Sequence, residues 1–412
     1  MTGVSGKPIE IRVSHSSASD EPIFPLYDGP ALFSYGFRPF FLGAALFAAI
    51  AVPAWILIVT GAIGSTFLYA PREWHVHEML FGFLPAAMAG FILTAIPNWT
   101  GRTPIRGALL MSLFVLWFGG RLMLAFPGPI PVIAALVDAA FLVALAAAVW
   151  REVAAARIWN RSAIGVLIAF YAASNIFFHV LALRGSPTDA PERAALSILL
   201  LLLTFIGGRV TLAFTAEYLA QEQRGGHPTS FSPVDGLSML LVLGAVLVWN
   251  VQPEGRITGS LFLAAGAANV IRLVRWKGWL GWREPLVWIL SVGYAWVALS
   301  LLALGVAVLG MLPAANAVHV LTTGAVGAMT LAVMTRASLG HTGRPRHGDH
   351  RTFAIYVLVN VAAVLRICTP PSGAPTGMTN LLLGMAALGW SGAYLLFVFV
   401  YGPFLTRPAL DD

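Results

Sequence analysis

Four histidines in or beside long apolar segments are the residues of this sequence best suited to bind a metal. They are His75, His77, His179 and His319. An ionisable side chain within a bilayer costs several kcal/mol unless it is paired or bound to a metal, and neutral imidazole is a common ligand of iron and copper. His77 falls just inside the outer boundary of its predicted helix, and His179 and His319 fall about 6 to 8 Å from the outer ends of theirs. This common depth predicts a metal or haem site in the outer third of a membrane.

His75 and His77 are separated by one residue, so on a regular helix their side chains point about 200° apart. They can bind the same metal only if this segment is not yet helical; otherwise they serve two sites. Glu78 follows directly, and it could accept a hydrogen bond from an imidazole N–H, relay protons or bind a metal. The simpler alternative for each histidine is an interhelical hydrogen bond without any metal.

Buried arginines could hold the carboxylates of a cofactor. Arg121 and Arg366 fall near the outer ends of their helices, and a guanidinium group can bind a carboxylate through two hydrogen bonds, so haem propionates are suitable partners. These arginines could instead extend to the lipid headgroups. Arg209 lies deeper and is a further candidate for cofactor binding. Asp138 is its most obvious countercharge, and the simpler interpretation of Arg209 and Asp138 is a structural ion pair.

The elements that must position these residues are transmembrane helices. Of the 412 residues, 58% are hydrophobic and only 10% are charged, whereas soluble domains carry roughly 25% charged residues. The apolar residues form blocks of roughly 20, the length needed to cross a bilayer. The blocks cover approximately residues 39–62, 76–97, 107–126, 129–150, 161–183, 194–219, 234–251, 257–275, 285–310, 314–339, 352–370 and 378–404. We therefore predict an all-α, polytopic membrane protein, with about twelve transmembrane helices in residues 35–406 and tails at 1–34 and 407–412.

The distribution of positive charge predicts the orientation. Arginine and lysine are concentrated in the loops around residues 102–106, 151–161, 272–283 and 344–351, and the positive-inside rule places these loops and both termini in the cytoplasm. The formal net charge of +7 therefore reflects topology, and no nucleic-acid partner is expected. The single cysteine, Cys368, excludes an internal disulfide. Because it lies in an apolar block, we expect it to be a packing residue.

Several short matches indicate internal repetition. Glycine follows both His77 and His319 after five residues, as Gly82 and Gly324, and a Thr-Gly-Arg follows each histidine at the same distance, at 100–102 and 342–344. A second match joins the Gly-Gly-Arg at 119–121 to that at 207–209. Repeats are common in membrane proteins, and the matches predict three units of four helices.

These motifs resemble the NnrS family of bacterial membrane proteins. The resemblance rests on the His-Val-His-Glu-Met-Leu-Phe-Gly-Phe run at 75–83, on Pro-Asn-Trp-Thr-Gly-Arg at 97–102, on Asn175 with His179, and on His319 leading to Gly-His-Thr-Gly-Arg at 340–344. It extends over essentially the whole chain from about Phe33. It implies an inner-membrane protein of the nitric oxide response that contains haem and copper. No Cys-x-x-Cys-His motif is present, so a haem would be bound non-covalently.

Together, the residues and the resemblance lead to a hypothesis. The protein binds one or two haem b groups, with copper as a further candidate, and it binds and consumes nitric oxide near the outer face of the bacterial inner membrane. His77 and His319 are predicted to be the principal haem ligands, because the repeat makes them equivalent. His75 and His179 would complete a second haem or copper site.

Further roles are assigned to the neighbouring charges. Glu78 would deliver protons, and Arg121 and Arg366 would hold propionates. If nitric oxide is reduced, the electrons must come from a quinol or a periplasmic donor, since no other redox motif is present. The alternative is a non-enzymatic sensor or transporter of nitric oxide, haem, copper or nitrosylated metal complexes. A purely structural assembly subunit would bind no cofactor.

Overall fold

The computed structural model describes residues 27–222, 232–370 and 377–410, and in these ranges every regular element is helical. Twelve helices are long and apolar enough to cross a membrane, which confirms the predicted fold class. They are α1 (Phe37–Val59), α2 (Pro71–Thr100), α3 (Ala108–Ala125), α4 (Pro131–Ala155), α5 (Trp159–Leu183), α6 (Asp189–Gln221), α7 (Pro233–Val251), α8 (Arg256–Arg275), α9 (Pro285–Val308), α10 (Ala314–Gly340), α11 (His350–Ile367) and α12 (Gly377–Thr406).

Two helices begin about one turn earlier than their apolar blocks. The first turn of α2 contains Arg72 and Glu73, and that of α6 contains Asp189, Glu192 and Arg193. These charged turns are helical because Pro71 is favoured at the first position of a helix and because carboxylates near a helix N-terminus are stabilised by its dipole. Hydropathy alone does not detect such turns. Most of the predicted N-terminal tail lies outside the described residues.

The helices α2, α6 and α10 form the interior of the bundle. The buried shares of their most apolar segments, 78%, 61% and 67%, are the three largest among the twelve helices. Each of the three also contains a π-helical segment, at Glu78–Phe83, Leu203–Gly207 and Val320–Val326. Such segments are rare and are frequently found at functional sites. Because these helices are the second of each predicted unit of four, the observation supports the prediction of three repeats.

The π-helical segment of α2 is held by side chains from neighbouring helices. Trp117 on α3 donates from Nε1 to the Gly82 carbonyl at 2.9 Å, and Tyr171 on α5 donates from its hydroxyl to the Leu80 carbonyl at 2.5 Å. Gly82 itself is needed here, since a Cβ at this position would lie 2.0 Å from Nη1 of Arg121. The glycine therefore allows Arg121 to lie against α2.

A buried polar cluster holds the corresponding segment of α6. Arg272 on α8 donates from Nη1 to the Thr204 carbonyl at 2.9 Å and from Nε to Oδ1 of Asp235 at 2.7 Å. Tyr294 on α9 accepts from Arg272 and donates to Asn269, both at 2.6 Å. Because the buried guanidinium and carboxylate satisfy each other, this cluster is a structural ion pair.

Cys368 does not have the predicted environment. Helix α11 ends at Ile367, and Cys368 caps it with an exposed side chain. The expectation that it is a packing residue is therefore wrong, because the apolar block continues past the end of α11 to a position that no other described helix covers.

Candidate functional site

Two histidines and an aspartate meet inside the bundle. His77 on α2, Asp138 on α4 and His179 on α5 are all buried. Oδ2 of Asp138 lies 2.8 Å from Nε2 of His179 and 3.2 Å from Nε2 of His77. One ligand atom from each residue lies within 4.8 Å of the others, so the group could hold a metal ion. We call these three residues the His-Asp-His cluster.

Both imidazoles of the His-Asp-His cluster are oriented by a second partner at Nδ1. For His77 this partner is Oε1 of Glu78 at 3.2 Å, and for His179 it is the hydroxyl of Tyr69 at 2.6 Å. Burial and the negative charge of Glu78 raise the pKa of Tyr69, so its phenol remains protonated. Because a carboxylate can only accept, Nε2 of His179 donates to Asp138 and its Nδ1 accepts from the Tyr69 hydroxyl. A metal ion at Nε2 would replace this proton, and the N–H would then be at Nδ1, where metal-binding histidines usually donate to an outer partner.

The charges around the His-Asp-His cluster are closely paired. Arg121 on α3 donates from Nη1 to Oε2 of Glu78 at 2.6 Å, and its Nη2 contacts Oδ1 of Asp138. Asn175 donates to Oδ2 of Asp138 at 2.9 Å, and its Oδ1 lies 3.0 Å from Nε2 of His77. Two carboxylates and one guanidinium therefore leave a single negative charge beside two imidazoles.

The predicted ion pair between Asp138 and Arg209 is wrong. Asp138 is paired with Arg121, whereas the guanidinium of Arg209 lies over the ring of Phe205, 5.5 Å from its centroid. The depth of a residue along its helix can be estimated from the sequence, but the face that it presents to another helix cannot.

A cavity of about 930 Å³ lies on another side of α2, and His75 and His319 both line it. The His75 ring stacks on Trp55 with 4.1 Å between centroids, and its Nδ1 is buried without a hydrogen-bond partner. Nδ1 of His319 lies 2.6 Å from the Ala315 carbonyl. Since a carbonyl can only accept, Nδ1 of His319 donates and its Nε2 retains a free electron pair.

Cationic groups and apolar side chains complete the wall of this cavity. Arg366 lines it, within electrostatic range of both His75 and His319. Nε of Arg193, also in the wall, is buried without a hydrogen-bond partner, while Arg72 forms two hydrogen bonds with Glu192, each 3.0 Å long. The remaining wall is largely apolar and includes Phe83, Leu199, Val326 and Trp390.

The residues of this cavity fit a haem. Its volume is in the range of cofactor pockets, roughly 300 to 1,000 Å³. It offers two imidazoles with available nitrogen atoms, a common protein ligand of haem iron, and arginines that can bind propionates. The unpartnered polar atoms of His75 and Arg193 are further evidence for a polar ligand, because buried polar groups are nearly always hydrogen-bonded.

The predicted site residues are thus divided between two places. His77, His179, Glu78 and Arg121 lie in or around the His-Asp-His cluster, and His75, His319 and Arg366 line the cavity. The structure brings His77 together with His179 and not with His319, so it gives no support to a haem held by His77 and His319. Divergence of His75 and His77 into two sites was one of the two alternatives that their spacing allowed.

Sequence reasoning did not assign Asp138, Tyr69 or Arg193 to a site. The available signal for Asp138 was its charge within an apolar helix, and that for Tyr69 was its position immediately before the helix that carries His77. Arg193 lies just before the predicted apolar block of α6, in the charged first part of the helix, which hydropathy does not detect.

Fold and site together define a class: a twelve-span, all-helical membrane protein with a buried His-Asp-His group that could hold a metal. The family model described as NnrS protein matches residues 31–409. The chain therefore belongs to the NnrS family. No curated protein matches the sequence.

His341 lies at the opposite end of α10 from His319, against the rings of Tyr35 and Phe37, with centroid distances of 5.8 and 5.7 Å. Burial and the nearby Arg346 lower the pKa of His341 from 6.5 to about 4. Its neutral form stabilises the fold above pH 6.5, and this contribution is lost as the pH falls to about 4, because the unfolded chain takes up the proton first.

We expect His341→Phe to weaken the acid dependence of stability. Thermal unfolding in detergent between pH 7 and pH 4, roughly the window set by the two pKa values, should show a smaller decrease for the variant than for the wild type. The haem content should be unchanged, because His341 is remote from the cavity. An equal pH dependence in the two proteins would contradict the assignment of a neutral His341 in the folded state. Loss of haem from the variant would show that the haem lies near His341 and not in the cavity at the other end of the bundle.

Proposed function

We propose that this protein is a haem-containing inner-membrane protein of the nitric oxide response, which binds and consumes nitric oxide at the periplasmic side of the membrane. A haem would be held in the cavity by the imidazoles of His75 and His319. Arg366 and Arg193 bind its propionates. The His-Asp-His cluster holds a second metal ion. The main observation in support of this proposal is the cavity, to which α2 and α10, far apart in the sequence, each contribute an imidazole.

The location follows from the same arrangement. The cluster and the cavity lie near the helix ends that are opposite to the arginine-rich loops. If those loops are cytoplasmic, both sites are close to the periplasmic surface. Nitric oxide is small and apolar, so it can reach such a site through the lipid without a water-filled channel.

The chain's own residues have defined tasks in this proposal. A bound haem would supply electron transfer, since the cofactor carries the redox chemistry. Glu78 accepts a hydrogen bond from His77, and Arg121 keeps that carboxylate in place. Glu78 is also the buried carboxylate best placed to exchange a proton beside the His-Asp-His cluster. Reducing electrons would come from a quinol or a periplasmic donor.

An optical spectrum and a metal analysis of the purified protein test this proposal. We expect the absorption bands of a non-covalently bound haem b, a second metal in addition to the haem iron, and a spectroscopic change on anaerobic addition of nitric oxide. Consumption of nitric oxide in the presence of a reduced quinol would establish turnover. Protein that is folded but contains no haem would refute the proposal, and ligand uptake into proteoliposomes without turnover would instead support a transporter.

A further inference from the structure

We infer that Arg161 and Arg209 together bind the phosphate of an anionic phospholipid, in the leaflet on the side of the arginine-rich loops. Arg161 lies in the first turn of α5, and Arg209 lies on α6, two residues after the π-helical segment Leu203–Gly207. We call these two residues the arginine pair. Neither has a task in the proposed function, and the inference does not depend on a haem or a metal.

The arginine pair carries two positive charges without a countercharge. Both side chains are partly buried, and the guanidinium groups are close enough to repel each other. Within the described residues, no carboxylate or carbonyl group accepts a hydrogen bond from either guanidinium. Each lies instead over an aromatic ring, Arg161 over Trp99 and Arg209 over Phe205, both at 5.5 Å from the ring centroid. Because unpaired charges in a membrane are costly, an anion from outside the chain would be stabilised here.

Three carboxylates at the same ends of α4, α6 and α7 cannot supply this countercharge, because each already has its own arginine partners. The pairs are Glu152 with Arg102 and Arg151, Glu217 with Arg336 and Arg346, and Asp235 with Arg272. The excess positive charge on this side of the bundle therefore remains at the arginine pair.

The packing of α6 leaves the arginine pair accessible from the lipid. The outer half of α6 packs against α5, whereas the half that follows the π-helical segment packs mainly against α9. The ring of Phe205, beneath the guanidinium group of Arg209, is 42% exposed. Helices α5 and α6 thus separate toward the arginine-rich loops. An acyl chain can lie in this separation while its headgroup contacts both arginines.

The chemistry of the arginine pair fits a phosphate. A guanidinium group binds phosphate oxygens through two parallel hydrogen bonds, and it is more weakly hydrated than an ammonium group, which suits a partly buried site. Basic pockets between transmembrane helices on the cytoplasmic side bind anionic lipid headgroups, and the positive-inside rule assigns the arginine-rich loops to that side. A zwitterionic lipid carries its own ammonium group and would leave the excess charge uncompensated.

Native mass spectrometry and thermal unfolding of the full chain in a mild detergent test this site. Phosphatidylglycerol should stay bound and should raise the unfolding temperature more than phosphatidylcholine does. Arg161→Gln and Arg209→Gln should each weaken the binding of phosphatidylglycerol about 5-fold, the usual effect of one cation near an anionic lipid.

Arg283→Gln is the matched control. Arg283 also lies over a tryptophan ring, that of Trp282 at 5.3 Å, on the same side of the bundle, but it is exposed in the loop before α9. This variant should bind phosphatidylglycerol as the wild type does. An equal loss in Arg283→Gln would show that the lipid responds to the general surface charge, and the inference would be wrong.

Stability without lipid separates a binding role from a structural one. Because an unpaired cation is costly in a membrane protein, Arg209→Gln in lipid-free detergent should unfold at a temperature no lower than that of the wild type. Arg209→Lys is a second variant, in case the glutamine variant does not fold. It keeps the charge but loses the two parallel hydrogen bonds, so it should also bind phosphatidylglycerol more weakly.

Three results would overturn the inference. Phosphatidylglycerol could stabilise the Arg209 variants as much as the wild type, which would exclude a role for this arginine. Phosphatidylcholine could stabilise the wild type as much as phosphatidylglycerol, which would show that the site does not select an anionic lipid. Inorganic phosphate at the same concentration could have the same effect, which would indicate a site for a soluble anion.

Discussion

Replacing His75 or His319 with alanine should remove most of the haem absorbance of the purified protein, whereas replacing His77 should leave it. The reason is the division of the histidines between two sites. His75 and His319 line one cavity, and His77 faces Asp138 elsewhere. Without one of these imidazoles, the cavity would offer only one of the two side chains that would hold the haem iron. Haem content per protein, measured optically in detergent, checks this expectation.

The second metal should show the opposite pattern. His77→Ala is the matched control for His75→Ala, because the two residues lie on one helical segment and the substitutions remove the same side chain. His77→Ala should decrease the content of the second metal while the haem remains. If the His77 variant loses haem while the His75 and His319 variants keep it, then the haem is not bound in the cavity and the assignment of the two sites is wrong.

Asp138→Asn should destabilise the protein and remove the second metal. Asp138 contacts Arg121, His77, His179 and Asn175 in the buried interior. Asparagine has one acceptor oxygen in place of two, so a buried donor beside it loses its partner, which typically costs about 1 to 3 kcal/mol, while Arg121 keeps its ion pair with Glu78. We expect a lower unfolding temperature in detergent and loss of the second metal.

Asp235→Asn is the matched control for this variant. Asp235 is equally buried and forms its own ion pair with Arg272, at 2.7 Å, in a different part of the bundle. The decrease in stability should be at least as large, because Arg272 loses the carboxylate with which it is paired, but the metal content should not change. If both variants lose the metal to the same extent, the loss reflects general destabilisation and Asp138 is not a ligand.

The twelve helices could be predicted because lipid imposes a simple rule on the sequence. Every span needs about 20 mostly apolar residues, and the blocks in this sequence have that length. The exceptions are the charged first turns of α2 and α6, where Arg72 and Glu192 form an ion pair with each other. A charged residue looks like a loop residue until its partner on another helix is known.

The site was predictable in its depth and chemistry but not in its pairing. His77 and His179 were expected at one level, and they do meet. The assignment of partners failed at Asp138 and Arg209, because a sequence contains no direct record of which helix faces which. The π-helical segment after His77 adds to this difficulty, since it changes the direction in which subsequent side chains point.

The π-helical segment at Glu78–Phe83 also makes the length of α2 critical. Deleting one residue there would allow an ordinary α-helix to form, and everything beyond the deletion would keep roughly its direction but lie about 1.5 Å closer to His77. The carbonyls that now receive Trp117 and Tyr171 would face other neighbours. Natural insertions and deletions should therefore be absent from this segment. The loop between α1 and α2 should vary in length. Comparing chain lengths among related sequences would thus test independently whether this segment is structurally essential.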